Sequence, residues 1–300
     1  KLLQALNMNN HLKGLLIAFF GVVMLTPDPV LVRLADADTF TILFWRGIFY
    51  ALGVLAILYA TYRKNTFKEL KNIGRPGIWI GLLSGIGGVT FIAAIQYTSI
   101  AKVLVIISTA PMVVAIISWA IINERPKLYT WISMLIIVTG IYIVMKGDTA
   151  VIINPEDTAY QHLIGSSLAV ISIIAGGYSF ALTRKYSNVN MVPAMIVNAF
   201  VVSFVGLVFS SSFYLPFDSL MYVLAGGILL AIAFSLITIA PRFIPASEVA
   251  MFMPLGTIFG ILSAWLVINE QPSSSSLLGG SIVVITLFFH AWYSSKLQTK

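Results

Sequence analysis

Tyr97-Thr98-Ser99-Ile100-Ala101-Lys102 opens an apolar run that Pro111 interrupts and Asn123-Glu124-Arg125-Pro126 stops. Phe243-Ile244-Pro245-Ala246-Ser247-Glu248 opens a second run, interrupted by Pro254 and stopped by Asn269-Glu270-Gln271-Pro272. The stops lie 146 residues apart in a chain of 300. One unit therefore occurs twice, about half a chain apart. Proline-interrupted apolar segments at corresponding places in two halves point to a membrane transporter and to its binding site.

Composition agrees. The chain is 59% hydrophobic and only 10% charged, with mean hydropathy +0.95. A soluble domain carries about 25% charged residues, so most of this surface must meet lipid. With no cysteine, disulfide frameworks, thiolate chemistry and cysteine metal sites are excluded. The net charge of +7 sits in short connections between apolar runs. That pattern is a topology signal rather than a nucleic-acid footprint.

A span needs about 20 mostly apolar residues. The candidates are 12–34, 40–62, 77–97, 102–122, 129–146, 162–183, 192–213, 220–240, 247–268 and 277–295. Helices are expected, because an isolated strand in lipid leaves backbone groups unpaired. The first run is read as a retained span rather than a cleaved signal. With a cytoplasmic N-terminus, Lys13, the basic residues of 63–76, Arg125, Lys127, Arg184, Lys185, Arg242 and Lys296 all face inward. Asp36, Asp38, Asp148, Glu156, Asp157, Asp218 and Glu270 then fall outside. This bias puts both termini in the cytoplasm. Five spans per half is odd, so the second half enters the membrane inverted. The expected fold is an all-α polytopic membrane protein of ten transmembrane helices in a 5+5 inverted repeat, with repeats at 1–148 and 149–300. His11-Leu12-Lys13-Gly14 is echoed by His162-Leu163-Ile164-Gly165.

The two quoted runs, with Trp265 in the second, resemble the EamA-type transporters of the drug/metabolite transporter superfamily. Pro29 and Arg33 in span 1 and Phe44-Trp45-Arg46 in span 2 also fit. The resemblance implies a ten-helix inverted-repeat carrier with a central cavity and alternating access. Its substrates would come from amino acids, their derivatives, sugars, nucleotide conjugates or organic cations, and many bacterial members export. Two positions depart from the family pattern: Gly256 stands where many relatives carry an acid, and Lys102 where a neutral residue is common.

Polar residues inside spans are costly and mark functional sites unless they have a structural duty. Asp28, between Pro27 and Pro29, either caps a broken helix near the outer interface or faces a cavity. Arg46 enters span 2 from the same side to a similar depth, about 9 Å. It either snorkels to headgroups or joins Asp28 as a pair or a shared zwitterion site; its planar fork suits a carboxylate. Lys102 and Glu248 open corresponding spans. Glu248 has helix capping as its structural alternative, and Lys102 has snorkelling. Pro111 and Pro254 each free a carbonyl at mid-membrane. Ser108, Thr109, Met253 and Thr257 lie beside them, and the Ser and Thr hydroxyls could serve a substrate or the freed backbone. Tyr178 and Asn198, with Tyr50 and Gln96, are further cavity candidates.

The expected protein is a secondary transporter of a small polar metabolite. An amino acid or related amine is favoured, with export, across a bacterial-type inner membrane. The alternatives are a carrier of organic anions or nucleotide-type conjugates, and a non-transporting receptor or scaffold. The expected partners are the substrate and the bilayer, with no nucleic acid, and the chain is read as a monomer. No cofactor and no metal are expected. No H-E-x-x-H, G-x-S-x-G or Walker-type loop is present, so an enzyme or a primary pump has no motif behind it.

Overall fold

A computed structural model describes residues 10–97, 103, 106–107, 109–147, 159–268 and 274–298. Lys102, Ser108 and Glu270 lie outside the described residues. The described residues form helices and no strand. Six helical stretches are long and apolar enough to cross a membrane: Asn10–Val32, Thr39–Asn72, Gly74–Ala94, Leu163–Lys185, Phe217–Arg242 and Leu277–Ser294. Ala110–Ile122, Leu128–Ile143 and Ala194–Phe209 are shorter apolar helices.

The first span is two helices, α1 (Asn10–Leu25) and α2 (Asp28–Leu34). Proline lacks the donor a helix needs four residues back, and Pro27 and Pro29 stand at this break. Thr26 N–H bonds Val23 O at 3.0 Å, and Leu31 N–H then bonds Pro27 O at 3.0 Å. α3 (Thr39–Tyr62) starts on Asp38, whose carboxylate accepts from Thr41 N–H at 3.0 Å, satisfying a donor that a helix start leaves open. The basic connection 63–76 is itself largely helical, with a 3-10 turn (Arg63–Asn65) and α4 (Thr66–Asn72) before α5 (Gly74–Tyr97). α4 stays in place because Leu70 packs on the core while Phe67 faces out.

α6 (Ala110–Ile122) begins with Pro111 in its first turn, where a missing N–H costs nothing. It ends on Asn123 at φ 58°, a left-handed position that asparagine tolerates. α7 (Leu128–Gly147) and α8 (Ala159–Lys185) follow. α9 (Ala194–Phe209) stops short of the expected 213. There Ser210 and Ser212 hydroxyls bond locally instead of leaving the backbone to continue the helix. α10 (Phe217–Ile239) leads through a 3-10 turn (Ala240–Arg242) to α11 (Ala246–Met251), α12 (Met253–Ile268) and α13 (Ser274–Gln298). The α11–α12 break falls at Phe252. Its N–H bonds Val249 O at 3.1 Å and its carbonyl takes Leu255 N–H at 3.0 Å, so Pro254 needs no donor.

Packing runs mainly between the first and second halves of the chain. α5 lies on α8 and α9, α3 on α9 and α10, α1 on α10, α6 on α8 and α11, and α7 on α13. The Phe217–Arg242 stretch is the most enclosed of the six spans, with 56% of its apolar window buried. Gly227 permits its approach to α3, since a Cβ there would lie 2.5 Å from that of Phe49. Phe200, Phe204, Phe209, Leu135, Ile285 and Phe288 point outward. Apolar exposure on this scale is what lipid, not water, accommodates.

Candidate functional site

Two polar clusters sit at opposite ends of the bundle. The first is where α1 gives way to α2. The Pro27 break turns Asp28 inward, and Arg46 donates to its Oδ2 at 2.5 Å. Both side chains are 16% exposed. Gly226 on α10 faces the pair: a Cβ there would lie 3.5 Å from Asp28 Oδ1. Asp28 Oδ1 and Arg46 Nε are buried without a hydrogen-bond partner. One turn along α3 lies Tyr50, only 3% exposed, whose hydroxyl also has no partner. Its ring is 5.8 Å from that of Phe234. Buried polar groups normally find partners, so three open valences, two on α3 and one on Asp28 at the start of α2, fit a site that takes a polar ligand.

This end closes through contacts between α3 and the segment after α9. Thr41 Oγ1 donates to Ser212 O and lies 2.8 Å from Ser210 Oγ. Trp45 Nε1 donates to Phe213 O at 2.9 Å.

The second cluster lies at the end where α1 begins and α13 finishes. His11 Nε2 is 3.3 Å from Glu248 Oε2 and 2.9 Å from Ser294 Oγ. Ser294 lies 3.3 Å from Glu248 Oε1 and 3.2 Å from Tyr129 Oη. One turn deeper, His290 Nδ1 is 3.1 Å from Ser133 Oγ. Arg184 closes the same end: its Nε and a terminal nitrogen each lie 3.1 Å from Glu124 Oε1. Its other terminal nitrogen donates to Pro241 O at 2.7 Å.

The remaining sequence candidates are dispersed. Pro111 and Pro254 are buried and Met253 is half-buried against the core. Thr109 Oγ1 donates to Ile106 O at 2.7 Å, so it serves the backbone beside the Pro111 break. Asn198 donates to Ser84 Oγ at 2.8 Å, joining α9 to α5. Tyr178 is 42% exposed on α8. Among the described residues no group of three or more His, Cys, Asp or Glu could hold a metal. Sequence reading passed over His11, Ser294, Tyr129 and His290 as site residues; only their shared membrane face could have joined them.

Residues 12–146 match the EamA-like transporter family. The likeness covers just under half of the chain. The chain is also similar to an S-adenosylmethionine uptake transporter of Rickettsia conorii, 24% identical over 87% of this chain and 86% of that protein. A Rickettsia bellii protein of the same name is 24% identical over 87% of each. An uncharacterized transporter of Methanothermobacter thermautotrophicus is 23% identical over 67% of this chain and 60% of its own. The fold is that of a solved crystal structure, matched at TM-score 0.79 with 15% identity over 95% of this chain and 98% of the other. Six helical stretches long and apolar enough to cross a membrane stand beside these likenesses to proteins named as transporters.

Proposed function

We propose that this EamA-type protein carries an amino-acid-bearing metabolite of the S-adenosylmethionine type by alternating access. The observation that carries this reading is the buried Asp28–Arg46 pair with its unfilled valences beside Gly226. An ammonium and a carboxylate on one ligand would meet both charges of the pair, each through a charge-assisted hydrogen bond. S-adenosylmethionine joins an amino-acid head to a nucleoside, so the amino acid and nucleotide-conjugate expectations converge on it. The Rickettsia proteins are named for uptake, and uptake replaces export as the favoured direction.

The proposed frame is ten crossings in two inverted repeats, 1–148 and 149–300, with both termini cytoplasmic in a bacterial-type inner membrane. The packing supports it. Exchanging the halves turns the α5–α8 contact into α10–α1, and α3–α10 into α9–α5. The α3–α9 and α7–α13 contacts map onto themselves. Purified protein in liposomes, supplied with labelled S-adenosylmethionine, tests the reading. Accumulation lost in Asp28→Asn and Arg46→Gln is expected; unchanged transport in both would sink the site. A receptor would move nothing.

A further inference from the structure

We propose that Glu248, His11 and Ser294 form a proton-binding latch: proton binding there holds the termini-bearing end of the bundle closed. The inference rests on the transporter reading only in treating that end as a gate.

The three residues come from α11, α1 and α13, and they are 4%, 1% and 0% exposed. The contacts of His11 with Glu248 and Ser294, and of Tyr129 with Ser294, cross between the two halves of the chain. Ser294 has one hydrogen and two lone pairs, and three polar neighbours. With Glu248 ionised, Ser294 donates to Oε1 and accepts from Tyr129 O–H and His11 Nε2–H. With Glu248 protonated, its O–H donates to Ser294, which donates in turn to an unprotonated His11 Nε2 and still accepts from Tyr129. Both patterns leave Ser294 fully satisfied. They differ by one proton and need no movement of heavy atoms. Tyr129 is half-buried and close to exposed Lys127, so Tyr129–Ser294–Glu248 is a hydrogen-bonded path from the surface to the carboxyl.

The neighbouring groups do not make this proton redundant. Packed against α11, α1 brings His11 and Lys13, α8 brings Arg184 and Lys185, and the 3-10 turn brings Arg242; α6 and α12 carry no titratable residue. Arg184 is already held by Glu124 and Pro241 O. Lys13 lies over the Phe243 ring at 4.7 Å, Lys127 over the Tyr129 ring at 5.8 Å, and Arg242 donates to Ser187 O. His290, beyond Ser294, bonds Ser133. Lys296, on the helix of Ser294, lies over the Trp292 ring at 5.2 Å, and His11 brings a potential positive charge to within 3.3 Å of the Glu248 carboxylate. Without an added proton, closure buries a carboxylate against a neutral imidazole, and an uncompensated buried charge is strongly destabilising. With the proton, the cluster is either an ion pair or wholly neutral. The proton comes from water at that end and returns to it when the end opens and the carboxylate is hydrated. The closed state therefore holds one more proton than the open state, so falling pH favours closure.

The chain has no cysteine, so two introduced cysteines carry the only spin labels. We would place them at Phe67 and Lys185, both exposed at this end, and measure their distance distribution in liposomes from about pH 5 to about pH 8, which brackets histidine and a buried carboxylate. The short-distance population should grow relative to the long one by up to tenfold per pH unit lowered, the limit for one linked proton. Glu248→Gln should stay in the short population at every pH. Ser294→Ala removes a partner from both forms of Glu248, and the bond to the ionised carboxylate is the stronger of the two, so its midpoint should move to higher pH. A wild type that does not respond to pH, or a Glu248→Gln that responds as wild type does, overturns the latch. So does an unmoved midpoint in Ser294→Ala. Asp28→Asn should keep the pH response while losing transport. A latch that titrates in a protein that moves no S-adenosylmethionine would overturn the substrate reading and support this one.

Discussion

The Asp28–Arg46 pair gives the sharpest energetic test. Each side chain is about five-sixths buried, and neither charge is close to bulk water. Removing one partner from a buried pair leaves an uncompensated charge and costs about 3–5 kcal/mol. Removing both charges in the double variant leaves an asparagine amide facing a glutamine amide, two neutral groups that can bond each other. We therefore expect Asp28→Asn and Arg46→Gln each to lose about 3–5 kcal/mol, and the double variant to lose no more than one single variant. The coupling energy in the cycle should then reach about 3 kcal/mol, the upper range for residues in direct contact. Denaturant unfolding of the four purified proteins in one detergent measures it. Transport should separate from stability: the double variant should be no less stable than a single variant and still carry no substrate. Additive losses, or single losses within the ~1 kcal/mol of an exposed pair, would refute the buried-pair reasoning.

Four smaller perturbations follow from single contacts. Tyr50→Phe removes a hydroxyl that has no protein partner, so thermal stability should hold or rise, while affinity for S-adenosylmethionine falls by about tenfold, the equivalent of one ordinary hydrogen bond. Gly227→Ala drives a Cβ to 2.5 Å from Phe49 Cβ and should cost about 1–3 kcal/mol in unfolding. Gly226→Ala meets Asp28 only at ordinary contact distance, so its stability should hold while substrate binding weakens. Asn198→Ala leaves Ser84 without its partner and should cost about 1–3 kcal/mol with substrate KM unchanged in flux assays, which separates a stitch from a binding group.

The backbone plan was largely legible because proline acts locally. Pro27, Pro111 and Pro254 each remove a donor, and helix breaks stand at each of them. Asp28 and Arg46 were legible as a pair because two helices entered from one face at equal depth leave little freedom in their meeting. The second cluster was not legible. Ser294 and His11 lie 283 positions apart, and their meeting depends on how α13 and α1 rotate about their axes, which no periodicity records. Asn198 looked like a cavity residue for the same reason, since only tertiary packing sets it against Ser84. The helix inside the 63–76 connection was not legible because a short helix with one core-facing leucine makes no span-length pattern.

The two ends differ in how their polar contacts are shared, and that difference bears on mechanism. Under the proposed division, Asp28 and Arg46 belong to one half. The closing contacts join different halves: Thr41 to Ser210 and Trp45 to Phe213 at one end, His11 to Glu248 and Arg184 to Glu124 at the other. Rocking the halves apart would break one set of gate contacts at a time and leave the substrate pair intact. α1 ties the two together. It carries His11 at its start and leads to Asp28, roughly 25 Å away at helical rise. A tilt that pulls His11 from Glu248 must also shift Asp28 against Gly226 on α10. The proposed latch and the proposed substrate site are therefore joined by one helix. Occupancy of either can bias the other only through differential affinity for the two tilts.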